Sequence, residues 1–142
     1  MARNPARWLE RSPRILLVNG DVAAGSRIRE CLSEHGVKSS WVRTAKEAVE
    51  LLHDMVFIES SFDGLLVEYE LPDGGGFRVI REFRHEFPTL ATALMSDVDD
   101  IALGLWSKQR QIPVLRKPIE RDVLLGWLEQ FKSSPAIAST HT

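Results

Sequence analysis

The side chains of this 142-residue chain that could do chemistry together stand just past short apolar runs. "RILLV" is followed by Asn19, Gly20 and Asp21; "FDGLLV" runs into Glu68; "LATALM" leads to Ser96 and Asp97; "IPVL" leads to Lys117 and Pro118. If those runs are parallel strands of one open sheet, a carboxylate, a hydroxyl and an ammonium meet on one rim, beyond the carboxyl ends where such sheets bind ligands. Glu68 and Lys117 could there form a plain ion pair, kept because removing one partner strands the other.

Other chemistries lack their parts. Gly20 and Gly25 have the Gly-x-x-x-x-Gly spacing of a phosphate-binding loop, but Ser26 stands where that loop needs lysine. No Gly-x-Gly-x-x-Gly marks a dinucleotide site, and no Gly-x-Ser-x-Gly elbow presents a nucleophile. Cys31, the single cysteine, excludes an internal disulfide and reads as a buried, inert residue inside a helix. His35, His53, His85 and His141 have no metal-ligand spacing and read as surface residues. The chain is therefore expected not to be an enzyme.

The elements that must position the rim follow from periodicity. "RILLV" is a continuous apolar run of the kind buried on both faces of a parallel sheet. The helix after it has Asp21 as N-cap, Gly36 as its stop, and Val22, Ile28, Cys31 and Leu32 at near-helical spacing. "VKSSWV" is a polar strand that suits a sheet edge, and Thr44 with Glu47 forms a capping box for a helix burying Ala48, Leu51 and Leu52. After "FDGLLV", the triple glycine at 74 to 76 makes a tight turn into a helix whose inward stripe is expected to be Phe77, Ile80, Phe83 and Phe87. "LATALM" is the fourth strand, and Ser96 or Asp97 is expected to open the fourth helix. "IPVL" is the fifth strand, and the last helix turns Leu124, Leu128 and Phe131 inward.

Five strands alternating with five helices predict an α/β fold, a doubly wound parallel five-stranded sheet of flavodoxin-like (βα)5 type. The length fits one domain. Residues 1–13 read as a basic N-terminal arm with Arg3, Arg7 and Arg11 four apart, 14–132 as the folded domain, and 133–142 as a frayed C-terminal tail. With 44% hydrophobic and 27% charged residues the composition is that of a soluble globular protein, and a net charge of −2 gives no overall pull toward nucleic acid or an anionic membrane. No run is long enough for a signal peptide or membrane span, and a cytoplasmic location is expected.

Over roughly residues 14 to 132 the chain resembles the receiver domain of two-component response regulators, as in the chemotaxis receiver. The matching stretches are "RILLVNGD", "FDGLLVEYELPDGGGF", "ALMSD" and "VLRKPIE". The resemblance implies a receiver fold and a role in phosphorelay signalling. It puts Glu68, four residues before Pro72, at the position of the phospho-accepting aspartate. Asn19 and Gly20 stand at the acidic pair that holds magnesium, Ser96 at the hydroxyl switch, Lys117 at the conserved-type lysine, and Val114 at the aromatic switch.

Those departures bear on the chemistry. Without two carboxylates after the first strand, Mg²⁺ binding is expected to be weak or absent, and no cofactor is expected. Glu68 carries its carboxylate about 1.5 Å further out than aspartate would, and an error of about 1 Å costs on the order of 100-fold in rate. The expectation is a stand-alone atypical receiver, or pseudo-receiver, in which Glu68 reaches toward Lys117 and Ser96 as a permanent charge. The alternative is a receiver still weakly phosphorylated by a histidine kinase. Partners implied are a histidine kinase or a downstream effector, and a second copy through the face of the fourth helix, fifth strand and fifth helix, with Trp106, Val114 and Trp127 as its interaction residues; direct nucleic-acid binding is not expected.

Overall fold

The computed structural model describes residues 12–57 and 61–139, those from 132 onward as backbone. The basic arm, as far as residue 11, lies outside the described residues. The elements run β1 (Arg14–Val18), α1 (Val22–Glu34), β2 (Lys38–Val42), α2 (Ala45–Phe57), β3 (Gly64–Glu68), α3 (Gly76–Glu86), β4 (Ala91–Ser96), α4 (Ile101–Arg110), β5 (Val114–Arg116) and α5 (Arg121–Ser139). All strand pairs are parallel in the order β2-β1-β3-β4-β5, so the predicted doubly wound flavodoxin-like sheet is what forms. Chain direction across the sheet reverses between β1 and β3, which makes their carboxyl ends the topological switch point.

Alternation along the strands divides the core in two. Leu16, Val18, Leu65, Val67 and Leu94 pack with α2, α3 and α4 on one face. Ile15, Leu17, Leu66, Met95 and Leu115 pack with α1 and α5 on the other. The polar β2 is indeed an edge strand, half-exposed along its length.

Local signals set the helix ends. Asp21 accepts hydrogen bonds from the amides of Ala23 and Ala24 at the start of α1 (3.0 and 3.2 Å). Gly36, at φ +76°, supplies the left-handed residue that stops it. The capping box of α2 is closed in both directions: the Glu47 amide donates to Thr44 Oγ1 (3.1 Å), and the Thr44 amide donates to Glu47 Oε1 (3.2 Å). Gly25 has a packing role, because a Cβ there would lie 2.2 Å from the Trp41 ring. The Gly20–Gly25 spacing therefore serves a helix-on-indole contact.

Several expectations are corrected. Val22 (51% exposed) and Phe77 (39%) are not core residues; Gly25 takes the inward place on α1, and Val79 joins Ile80 and Phe83 on α3. Cys31 is half-buried. The fourth helix is opened by Asp100, whose Oδ1 accepts from the Leu103 amide, because Ser96 still belongs to β4 and Ser96 Oγ turns to the Val98 amide instead. The last helix continues through residues 133–139, where a frayed tail was expected.

Candidate functional site

Register brings the rim residues to one level. Val18 is opposite Val67, Glu68 is opposite Met95, and Ser96 is opposite Arg116, so the ends of β1, β3, β4 and β5 are adjacent in that order. Alternation puts Asn19, Glu68 and Lys117 on the α1–α5 side, in phase with Leu17, Leu66 and Leu115. Ser96, in phase with Leu94, belongs to the opposite side.

Glu68 is 5% exposed and fully engaged. Its Oε2 forms an ion pair with Lys117 Nζ, and its Oε1 accepts the Gly20 amide at 3.3 Å. Lys117 is positioned by its own amide, which donates to the Ser96 carbonyl (2.9 Å); the Lys117–Pro118 bond is cis. A carboxylate so little exposed needs such partners, since an unpaired buried charge is costly.

Ser96 is buried, and its hydroxyl accepts the Val98 amide at 2.9 Å. Among the described residues it makes no hydrogen bond with Glu68, so the expected reach of Glu68 toward Ser96 is corrected to a pairing with Lys117 and Gly20. The cause is the two-residue period along β4: Met95, opposite Glu68, shares its face, and Ser96, one residue on, turns to the other.

After β1 the polar groups are tied to the backbone. The Asn19 amide donates to the Val42 carbonyl (3.0 Å), its carbonyl accepts Trp41 Nε1 (2.8 Å), and its Oδ1 accepts the Asp21 amide (2.8 Å). The Gly20 carbonyl accepts Arg43 Nη2 at 2.9 Å. A Cβ at Gly20 would lie 2.6 Å from Pro72 Cδ, so the ring of Pro72 fills the place where a side chain at position 20 would begin.

The donors of that set are already engaged or missing. Mg²⁺ requires octahedral oxygen ligation, whereas Glu68 already faces an ammonium and an N–H donor, position 20 has no side chain, and Asn19 Oδ1 is engaged. Among the described residues no group of three or more His, Cys, Asp or Glu could hold a metal ion.

The loop after β3 holds a residue that sequence reading missed. Asp73 reaches across to the start of α2, where its two oxygens accept the amides of Ala45 and Lys46, each at 2.9 Å. Partial burial acts to raise the Asp73 pKa, but those two hydrogen bonds outweigh it and hold the carboxyl below its ordinary value of 3.8. An Asp preceding Gly-Gly reads as turn chemistry; its long-range partner is invisible in sequence.

The expected interaction residues are divided by the structure. Trp127 is 8% exposed, packed edge-on to Phe131 (5.2 Å) and over Gly64, whose missing side chain leaves room for the indole; it is a core residue. Val114 and Trp106 are half-buried against the core. Apolar exposure is concentrated elsewhere: Ile101 is 83% and Leu105 55% exposed on α4, next to an aromatic row of Tyr69, Phe77 and Trp106 with centroid spacings of 5.2 and 4.6 Å.

Comparison with solved structures decides the fold's name. A CheY-like response regulator receiver domain protein from Methanospirillum hungatei superposes with a TM-score of 0.75 at 18% identity, covering 91% of this chain and 100% of that one. The fold is that of response regulator receiver domains. The non-phosphorylated HemR receiver domain from Leptospira biflexa matches with a TM-score of 0.73 at 24% identity, over 86% of this chain and 95% of that one. A receiver domain of a Pseudomonas aeruginosa sensor histidine kinase, solved with magnesium coordinated in its active site cleft, matches with a TM-score of 0.72 at 20% identity, over 87% of this chain and 99% of that one. No family model matches the sequence. By sequence, the chain is 29% identical over 121 residues to the "Probable transcriptional regulatory protein y4xI" of Sinorhizobium fredii, covering 80% of this chain and 47% of that protein, so it spans about half the relative's length.

Proposed function

We propose that this receiver-fold chain is a signalling module and not an enzyme, acting by protein–protein contact in a two-component or phosphorelay pathway, with Glu68 as a permanent negative charge at the acceptor position. The observation that carries this reading is the engagement of both Glu68 oxygens, one by Lys117 and one by the Gly20 amide. Each Glu68 oxygen thus already has a partner that attack on a phosphoryl group would have to displace or share, and the lack of acidic residues at positions 19 and 20 supports weak divalent binding. The charge copy is partial, since a carboxylate carries about −1 and a phosphoryl group about −1.5 to −2.

The partner is a histidine kinase or a downstream effector. Exposed Ile101 and Leu105, beside Trp106, support a contact surface on α4, with a second copy as one occupant. Likeness to a longer regulator described as transcriptional supports output through residues or a partner outside those described here. No helix among the described residues is long and apolar enough to cross a membrane.

Incubation with acetyl phosphate and Mg²⁺, read by intact mass, tests the reading: unmodified protein is the expected result, and stoichiometric addition at Glu68 would overturn it in favour of a working phospho-receiver. A Glu68→Gln variant tests the charge itself. Reduced partner binding is expected, with amide resonances of Ser96 to Val98 displaced; unchanged binding and resonances would reduce the pair to a structural contact.

A further inference from the structure

On the α1–α5 side of the rim lies a cleft of about 470 Å³ that the fixed-charge reading does not use. Its volume falls in the range of small-molecule sites. One wall is a face of α1, with Ala24, Ile28 and Cys31; the other is the turn after β5 and the start of α5, with Ile119 and Leu124. Ile28 and Leu124 are core residues, so the floor is apolar and rests on rigid elements.

At its inner end stands Asn19, 1% exposed. Its Oδ1 is engaged by the Asp21 amide, while its Nδ2 has no hydrogen-bond partner among the described residues. Because among the described residues no fully enclosed side-chain polar atom lacks a partner, Nδ2 keeps a small exposed area, and the cleft is the space that Asn19 borders. Lys117, which also lines it, keeps ammonium hydrogens beyond the one given to Glu68. Two donors thus border the same cleft, where a ligand's oxygen acceptor could meet them.

The charges along the cleft decide the sign of the ligand. Arg121 is paired with Glu34 at 2.9 Å, and Lys117 with Glu68. What remains is Asp21, Glu30 and Asp97 against Arg27. An anion entering the cleft would meet this acidic balance, whereas a neutral or cationic molecule would not.

We infer that this cleft is a small-molecule site for an uncharged or cationic ligand with an apolar body that presents a carbonyl or hydroxyl oxygen to Asn19 Nδ2 and Lys117 Nζ. It adjoins the Glu68–Lys117 pair through Lys117, and so gives the rim a ligand input that needs no phosphoryl transfer. The inference does not depend on how Glu68 acts.

Three probes that share an indole body test it by ¹H–¹⁵N correlation spectroscopy on the full chain: indole-3-acetamide, tryptophanamide and indole-3-acetate. Saturable shifts of the Asn19 side-chain amide and of the Cys31, Ile119 and Leu124 amides are expected with the first two. Indole-3-acetate should bind at least about tenfold more weakly. Ala24→Trp, which fills the cleft from the half-exposed wall of α1, should abolish the shifts while leaving the spectrum dispersed; should that variant fail to fold, Cys31→Phe serves the same purpose. Absence of saturable shifts with all three probes, equal binding of the acetate, or shifts that persist in a folded cleft-filling variant would each overturn the inference.

Discussion

At the end of β1, polar groups turn back onto the chain: Asn19 holds the Asp21 amide and the Trp41 indole, and Gly20 is pressed against Pro72. At the ends of β3 and β5, charged groups turn toward each other, Glu68 to Lys117. Both are rim positions on the same face of one sheet, yet the first is built of neutral packing and backbone hydrogen bonds and the second of an ion pair. The difference teaches that the buried charge of this rim is concentrated at one point, Glu68, and balanced there by Lys117. Nothing acidic at positions 19 and 20 competes with Glu68 for Lys117, or shares a cation with it.

The comparison breaks most severely at Lys117. Lys117→Ala strands a carboxylate that is 5% exposed, and a loss of about 3 kcal/mol is expected by chemical denaturation, the low end for a broken buried pair because the lysine side chain is itself 27% exposed. Glu68→Gln should cost less, about 1 kcal/mol, since the amide oxygen still accepts from Gly20 and the freed ammonium can turn to water. Equal losses would mean that the two ends of the pair are equally buried in effect.

On the β1 side the expected damage is steric. Gly20→Ala puts a methyl 2.6 Å from the Pro72 ring and should destabilise by about 2 kcal/mol, with most of that recovered in a Gly20→Ala/Pro72→Ala double variant. No recovery would show that position 20 is constrained by something other than the ring.

Asp73 ties the loop after β3 to α2, and Asp73→Asn should cost about 1 kcal/mol at neutral pH. Its carboxyl titrates below 3.8 in the folded chain, so the unfolded state takes up the proton first as the pH falls. The stabilisation is therefore whole above the ordinary value and is lost through the lower folded one; denaturation at stepped pH should show wild type and variant converging in acid. The smallest effect belongs to Ile101→Ser, within about 0.5 kcal/mol on stability, because the residue is 83% exposed. If α4 is a contact surface, the same change should weaken partner binding or self-association in ultracentrifugation far more than it changes stability.

The sequence by itself determined the order of strands and helices, the caps at Asp21 and at Thr44 with Glu47, and the gathering of Asn19, Glu68, Ser96 and Lys117 on one rim. These follow from local rules: a period of two or near four, a capping side chain two or three residues away, and the rule that parallel strands end together. Only the tertiary structure decided which rim residues touch. Ser96 faces away from Glu68 because it lies one residue beyond Met95, the register partner of Glu68, Pro72 occupies the space beside Gly20, Asp73 caps a helix 27 and 28 residues away in sequence, and Trp127 fills the hollow over Gly64. Each of these depends on the distance between residues far apart in the chain. Periodicity gives a side chain its direction within its own element, and packing alone decides what it meets there.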